Sequence, residues 1–146
     1  MSTILDYLGS DHRVCDNLFA ASEEAVSKRN WEGASKLFGQ FHHAMERHFA
    51  MEEQVLFPSF EAKTGNSLGP TRIMRAEHEQ MRLLMQEMES AVSSHDGSIF
   101  LGMSETLNML MQQHNLKEEN MLYPMSDRAL ATERETLLRD MDTIDK

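Results

Sequence analysis

The chain has 146 residues, a size typical of one domain with its own core, and it carries 24 acidic against 14 basic residues for a net charge of -10. This excess of negative charge argues against nucleic acid as a partner, because phosphate backbones require basic surfaces. The single cysteine, Cys15, excludes an intramolecular disulfide framework. The N-terminal residues lack a signal-peptide pattern and no apolar run reaches about 18 residues, so we predict a cytoplasmic protein without a membrane span.

The first half of the chain predicts a short helix followed by two long ones. Residues 3–8 predict a lead-in helix, and residues 11–28 predict a longer helix with Ser10 as its N-cap. A further helix is expected over residues 31–56, ending before Pro58 because proline interrupts the hydrogen bonds of a helix interior. Apolar residues in these segments recur with the 3.6-residue period of a helix and show no strand alternation.

The second half of the chain repeats this organisation. A helix is expected to start near Pro70, a residue suited to a first helical turn, and to run to about residue 94. The next helix is expected over residues 98–122 and should end before Pro124. Residues 127–141 predict a short amphipathic helix that packs on the outside.

These elements predict an all-α fold. Four long helices with short connections are typical of an up-down-up-down four-helix bundle, here followed by the short C-terminal helix. The core of the bundle is expected at about residues 11–124, and the whole chain, residues 1–146, is predicted to form a single domain.

A duplicated motif is the most specific feature of the sequence. The segment from His48 to Pro58 recurs 66 residues later, from His114 to Pro124, with the histidine, a glutamate pair, a leucine, an aromatic residue and the proline in the same places. A second motif, an acidic residue followed by histidine, stands 36 residues before each copy, at Asp11-His12 and Glu77-His78. A single His-x-x-x-Glu match is common by chance, but this double register is not.

The repeated histidines lie on the apolar stripes of the predicted helices. Stepping back from His48 by helical spacings reaches Ala44 and Phe41, and stepping forward by four reaches Glu52. Residues four apart share one face of a helix, so His48 and Glu52 can reach the same inward point. The same relation holds for His114 and Glu118, which predicts that both pairs face the core of the bundle.

Burying several imidazoles and carboxylates costs several kcal/mol for each uncompensated charge, and a pair of dications removes this cost. Imidazole and carboxylate ligands suit iron, zinc or manganese. Glu52 and Glu118 are the expected bridges, because a carboxylate has two oxygens, and a further oxide or hydroxide bridge would leave two coordination positions for a small molecule. The predicted metal ligands are His12, His48, Glu52, His78, His114 and Glu118.

Other polar residues near the motifs are assigned lesser roles. Glu53 and Glu119 are expected to be solvated or bonded to neighbouring helix ends, and Arg82 to be a salt-bridged surface residue in preference to a group that stabilises a bound anion. Tyr123 and Cys15 are candidates for electron transfer, and for Cys15 packing as a small buried hydrophobe is the preferred expectation. The remaining histidines are predicted to lie at the surface: His42, His43 and His95.

Across residues 11–124 these motifs resemble those of the hemerythrin-like, or HHE cation-binding, family. The resemblance implies a carboxylate-bridged di-iron centre that meets oxygen, nitric oxide or peroxide. The oxygen-carrying hemerythrins have a fifth histidine four residues from that of the third helix, where this chain has Met74 and Arg82 on either side of His78. Their last bridge is an aspartate five residues after its histidine, whereas the bridge expected here, Glu118, follows His114 by four. The four-histidine, two-glutamate set is more similar to that of di-iron proteins linked to the repair of iron-sulfur clusters.

The resemblance therefore predicts a non-heme di-iron protein that binds or reacts with O2, nitric oxide or peroxide, in sensing or in the response to oxidative or nitrosative stress. Two alternatives remain open. The first is a di-iron enzyme that disproportionates peroxide or reduces nitric oxide with the help of an electron donor. The second is an iron-responsive regulatory or storage module, in which metal loading stabilises the bundle.

Overall fold

The computed structural model of the protein describes residues 2–144, and every regular element among them is helical. The predicted all-α class is confirmed. The α-helices are α1 (Ile4–Ser27), α2 (Trp31–Met51), α3 (Phe57–Thr64), α4 (Pro70–Ser93), α5 (Gly97–Lys117), α6 (Tyr123–Ala129) and α7 (Arg134–Asp142). Two π-helical segments join them, π1 (Glu52–Leu56) between α2 and α3 and π2 (Glu118–Leu122) between α5 and α6.

The predicted break at Ser10 is wrong, because α1 is continuous. Its N-cap is Thr3, whose hydroxyl accepts from the backbone of Asp6 while the Asp6 carboxylate accepts from the backbone of Thr3. This capping box satisfies free backbone donors at the helix start. Ile4 and Leu8 are fully buried, so apolar packing extends the helix through the segment that the sequence assigned to a separate lead-in.

The predicted helix ends before Pro58 and Pro124 are also wrong. Each proline follows a π-helical segment, and the helical path then continues through α3 and α6. In these segments the backbone N–H of Phe57 donates to the carbonyl of Glu52, five residues back, and that of Tyr123 to Glu118. The wider turn places each proline in the first turn of the next α-helix, where its missing N–H is not needed.

The C-terminal region begins later than the sequence indicates. Residues 127–129 belong to α6, and a turn precedes α7, which starts at Arg134. Leu137 and Met141 of α7 are buried, as is Leu130 in the turn. The carboxylate of Asp127 accepts from the backbone N–H groups of Ile4 and Leu5, with oxygen to nitrogen distances of 2.8 and 3.1 Å. This contact ties the end of the helical core to the start of α1.

The four long helices pack in a closed cycle: α1 contacts α2, α2 contacts α4, α4 contacts α5, and α5 contacts α1. This packing supports a helical bundle, while the alternation of helix directions and the single domain over 1–146 stay predictions. None of the helices between residues 2 and 144 combines the length and the apolar character of a membrane-spanning segment.

Two apolar clusters fill the interior. Cluster I includes Phe19, Phe38, Phe41, Met85 and Phe100, and cluster II includes Ile4, Leu8, Leu56, Phe57, Tyr123 and Met141. On α1, His12 stands between Leu8 of cluster II and Cys15 of cluster I. On α4, His78 likewise stands between Met74 of cluster II and Met81 of cluster I. The bundle therefore holds a polar layer between two apolar ones.

Candidate metal centre

The polar layer brings together all six residues that the sequence predicts as ligands. Each is buried, with at most 5% of its surface exposed. The histidines form two facing pairs, His12 with His48 and His78 with His114, whose ring centroids lie 4.7 and 5.0 Å apart. Their side-chain nitrogens and the glutamate oxygens form two groups that could each hold a metal ion.

The two glutamates lie between the histidine pairs, and each offers one oxygen to each pair. Oε1 of Glu118 lies 3.1 Å from Nε2 of His12, and its Oε2 lies 3.2 Å from Nε2 of His114. Oε2 of Glu52 lies 3.6 Å from Nε2 of His48, and its Oε1 lies 3.0 Å from Nε2 of His78. This is the arrangement that bridging carboxylates require. It divides the centre into two parts, half-site 1 around His12 and His48 and half-site 2 around His78 and His114.

Four further carboxylates, which we call the outer carboxylates, bind the histidines on the side of each ring that faces away from Glu52 and Glu118. Each accepts a hydrogen bond from the Nδ1 atom of a histidine on another helix, at 2.6 to 2.7 Å. Because a carboxylate can only accept, Nδ1 carries a proton, and in the neutral ring the lone pair of Nε2 then faces the glutamates. The pairs are Asp11 with His48, Glu53 with His78, Glu77 with His114, and Glu119 with His12.

The outer carboxylates were not assigned this role from the sequence. Glu53 and Glu119 were expected to be solvated or bonded to helix ends, and that expectation is wrong because both bind histidine rings. A signal was present, since Asp11 and Glu77 share the 66-residue offset, as do Glu53 and Glu119. The sequence does not show which helices are neighbours, so it could not pair them with their histidines.

Arg82 does not point into the centre. Its guanidinium binds Glu53 through two nitrogens, at 3.0 and 3.1 Å, and also binds Glu46 and Glu79. The expectation that Arg82 forms salt bridges is confirmed. Burial raises the pKa of Glu53, but His78 and Arg82 outweigh burial and lower it to about 2. Glu53 is therefore a permanent acceptor for His78.

At half-site 2, four buried atoms have no hydrogen-bond partner among residues 2–144: Glu52 Oε1, His78 Nε2, His114 Nε2 and Glu118 Oε2. With the neutral rings that metal binding requires, lone pairs of nitrogen and oxygen face one another there, which is unfavourable without a proton or a cation between them. Burial lowers the pKa of His114, but Glu118 outweighs it and raises that pKa to about 9. The chemistry of these donors therefore fits a bound metal ion.

Half-site 1 differs because a tyrosine enters it. The hydroxyl of Tyr123 lies 2.6 Å from Glu52 and 2.8 Å from Glu118, and it also approaches the Nε2 atoms of His12 and His48. Burial and the two glutamates raise the pKa of Tyr123 well above its ordinary value. The sequence suggested Tyr123 for electron transfer but gave no sign of this direct contact.

The remaining candidate residues lie outside the centre. Cys15 is buried in cluster I, and burial raises the pKa of its thiol to about 12, which fits the predicted packing role. His43 is exposed. The rings of Trp31 and His95 stack with centroids 4.9 Å apart, and His42 lies between Glu46 and Glu89.

Known proteins are similar to this chain. The hemerythrin HHE cation-binding domain matches residues 3–126. Relatives named iron-sulfur cluster repair protein YtfE, from Escherichia coli O1:K1 / APEC, Escherichia coli strain SMS-3-5 and Escherichia fergusonii, are each 28% identical over 112 residues, which is 70% of this chain and 49% of theirs. The chain thus spans about half the length of the curated relatives it matches, and no solved structure matches it. The family match includes every residue of the centre, and the chain belongs to the hemerythrin HHE cation-binding domain family.

Proposed function

We propose that the chain is a non-heme di-iron protein, a single domain over residues 1–146 whose up-down-up-down four-helix bundle holds two iron ions with an oxide or hydroxide bridge. It binds or reacts with O2, nitric oxide or peroxide in the cytoplasm, in sensing or in the response to oxidative or nitrosative stress. The proposed iron ligands are His12, His48, Glu52, His78, His114 and Glu118.

The observation that carries this proposal is the division of donor atoms between the half-sites. Each half-site has two imidazole nitrogens and one oxygen from each of two glutamates. Imidazole and carboxylate donors suit iron. The name of the Escherichia relatives, which refers to iron-sulfur cluster repair, supports iron and a role in stress.

The chain's own residues would control what reaches the metals. When bound, a pair of iron ions supplies redox-active positions that take up small molecules. The ring of Phe49 stacks on His78 with centroids 4.0 Å apart, and Phe57 lies 5.7 Å from the same ring. These phenylalanines exclude water from one side of half-site 2. The outer carboxylates orient all four imidazoles, so the donors are in place before a metal arrives.

Metal analysis combined with an optical spectrum of the full chain, purified from its own host, tests the proposal. We expect two irons per chain with oxo-to-iron charge-transfer bands. His48→Ala should lose iron, whereas the matched control His43→Ala, at an exposed position five residues earlier, should keep both irons. A single zinc without these bands would overturn the proposal.

Binding and turnover are separated by consumption assays on the iron-loaded protein. Steady loss of hydrogen peroxide or nitric oxide would identify an enzyme, and nitric oxide reduction would also require an electron donor. A stable adduct without consumption would identify a binding or sensing protein. A thermal midpoint that iron leaves unchanged would exclude the regulatory module in which metal gates folding.

A further inference from the structure

The two copies of the repeated motif differ at one buried aromatic position beside the centre. Phe57 in the first copy and Tyr123 in the second are 66 residues apart, and each directly follows a π-helical segment. The centroid of the Phe57 ring lies 5.7 Å from that of His78, with 22° between the ring planes. The centroid of the Tyr123 ring lies 5.7 Å from that of His12, with 27° between the planes. The rings are packed alike, so the hydroxyl is the difference between them.

That hydroxyl contacts every donor atom of half-site 1. The Tyr123 oxygen lies 2.6 Å from Glu52 Oε2, 2.8 Å from Glu118 Oε1, 3.2 Å from His12 Nε2 and 3.3 Å from His48 Nε2. A phenol has one hydrogen and can donate to only one of these four atoms at a time. When both imidazoles are neutral, as metal binding requires, the phenol oxygen can accept from neither, so hydrogen bonding accounts for only one of the four contacts at a time.

The four distances are those expected between neighbouring ligands of one metal ion. Donor atoms that each lie about 2.1 Å from a metal and stand at right angles are about 3 Å apart. The Tyr123 side chain is fully buried, and its position is held by packing within cluster II.

We propose that the phenol oxygen of Tyr123 is a further metal ligand of this centre and that it serves the metal of half-site 1 alone. This inference rests on the proposed di-iron function. As the metal–oxygen bond forms, the O–H bond breaks and the proton leaves to bulk water, and no electron is transferred.

The consequence for function is an asymmetric centre. Half-site 2 has Phe57 where half-site 1 has Tyr123, so it gains no corresponding protein ligand. The histidines, the glutamates and a bridging oxide or hydroxide would leave two coordination positions, one at each half-site. The phenol oxygen fills the position at half-site 1. The small molecule is then confined to the metal of half-site 2.

Visible absorption and resonance Raman spectroscopy of the ferric full chain test this assignment, because phenolate bound to ferric iron gives a charge-transfer band and tyrosinate vibrations. The chain has two tyrosines, Tyr7 and Tyr123. Tyr123→Phe should lose the band while keeping two irons per chain. The matched control Tyr7→Phe leaves Tyr123 as the sole tyrosine and should keep the band in full.

The outcomes separate this inference from the proposed function. Two irons in the wild type without a phenolate band, or a band that survives in Tyr123→Phe, would overturn the inference and leave the di-iron centre standing. A wild type that holds no iron pair would overturn both. If Tyr123→Phe fails to fold, Tyr7→Phe still decides the question, because loss of the band there assigns it to Tyr7 and overturns the inference.

Azide titration provides a second readout that does not depend on turnover. With one open position, the ferric wild type should bind one azide per chain, and Tyr123→Phe should bind two. Binding of two azides by the wild type would show that Tyr123 does not occupy a coordination position and would overturn the inference.

Discussion

The two half-sites of the centre have the same four donor types but different surroundings. Half-site 1 has the Tyr123 hydroxyl against its donors, whereas half-site 2 has the apolar ring of Phe57. Both half-sites share the same two glutamates, so any difference between metals bound there would come from the residues around the donors. The duplication therefore specifies where metals would be held, and departures from it specify how they would differ.

The outer carboxylates add a second difference. At half-site 2, Glu53 is paired with Arg82 and Glu77 with Lys117, so both carboxylates share their charge with a cation. At half-site 1, neither Asp11 nor Glu119 forms an ion pair with a lysine or arginine of residues 2–144. A carboxylate without a cationic partner makes its histidine a stronger electron donor. Half-site 1 is thus the more negative of the two.

Removing a shared glutamate should have the largest effect, because it breaks both half-sites at once. We expect Glu118→Gln to lose both irons. The amide removes the negative charge that lies between His12 and His114, and it replaces one of the two carboxylate oxygens beside them with an NH2 group that does not bind metal. His12→Ala should empty half-site 1 first. Iron per chain measures both, with Glu23→Gln, a carboxylate bonded to Ser104 away from the centre, as the control. Retention of one firmly bound iron by Glu118→Gln would contradict a shared bridge.

The pH dependence of metal binding should be the next largest effect and should involve both half-sites. Burial lowers the pKa of His114 but Glu118 raises it to about 9, from an ordinary value of 6.5, and Glu52 likewise outweighs burial to raise the pKa of His48. Metal must displace these protons, so affinity should rise with pH, by roughly 150-fold between pH 6.5 and 9 from His114 alone.

The metal-free protein should show the opposite trend. A folded-state pKa above the ordinary value means that protonated His114 stabilises the fold fully below pH 6.5 and loses this contribution as the pH rises towards 9. Chelator competition measures the affinity, and thermal melts with and without metal measure the stability. Metal affinity that is flat across this range would contradict the raised pKa of His114.

Neutralising one outer carboxylate should have a smaller effect and should distinguish the half-sites. We expect Asp11→Asn and Glu77→Gln each to weaken metal binding by about 10-fold to 100-fold, because each loosens one histidine. The effect of Asp11→Asn should be the larger, since Glu77 already shares its charge with Lys117. Chelator competition measures both variants, and the exposed Glu87→Gln is the control. Equal losses would mean that the half-sites are equivalent.

Much of the centre follows from periodicity in the chain. Because residues four apart share a helix face, His48 with Glu52 and His114 with Glu118 had to point the same way, and the 66-residue offset identified His12 and His78 as their partners. The all-α class followed in the same way from the spacing of apolar residues. These inferences depend on local geometry, which the order of residues determines directly.

The helix ends could not be predicted in this way. Pro58 and Pro124 are helix breakers by local propensity, yet a π-helical turn before each lets the helical path continue. The continued helical path buries Leu56 and Phe57 in cluster II, and this burial stabilises it. The helix-breaking tendency of proline is a local property, so it does not take into account the apolar surface that the longer helix buries.

The contacts of the outer carboxylates and of the Tyr123 hydroxyl could not be predicted for a different reason, which is that they depend on tertiary structure. Asp11 binds a histidine on α2 and Tyr123 reaches histidines on α1 and α2, more than 70 residues away along the chain. Such contacts depend on which helices are neighbours and how far each is rotated, and packing of the two apolar clusters sets both. The order of residues therefore determined which atoms could bind metal, and packing decided what surrounds each of them.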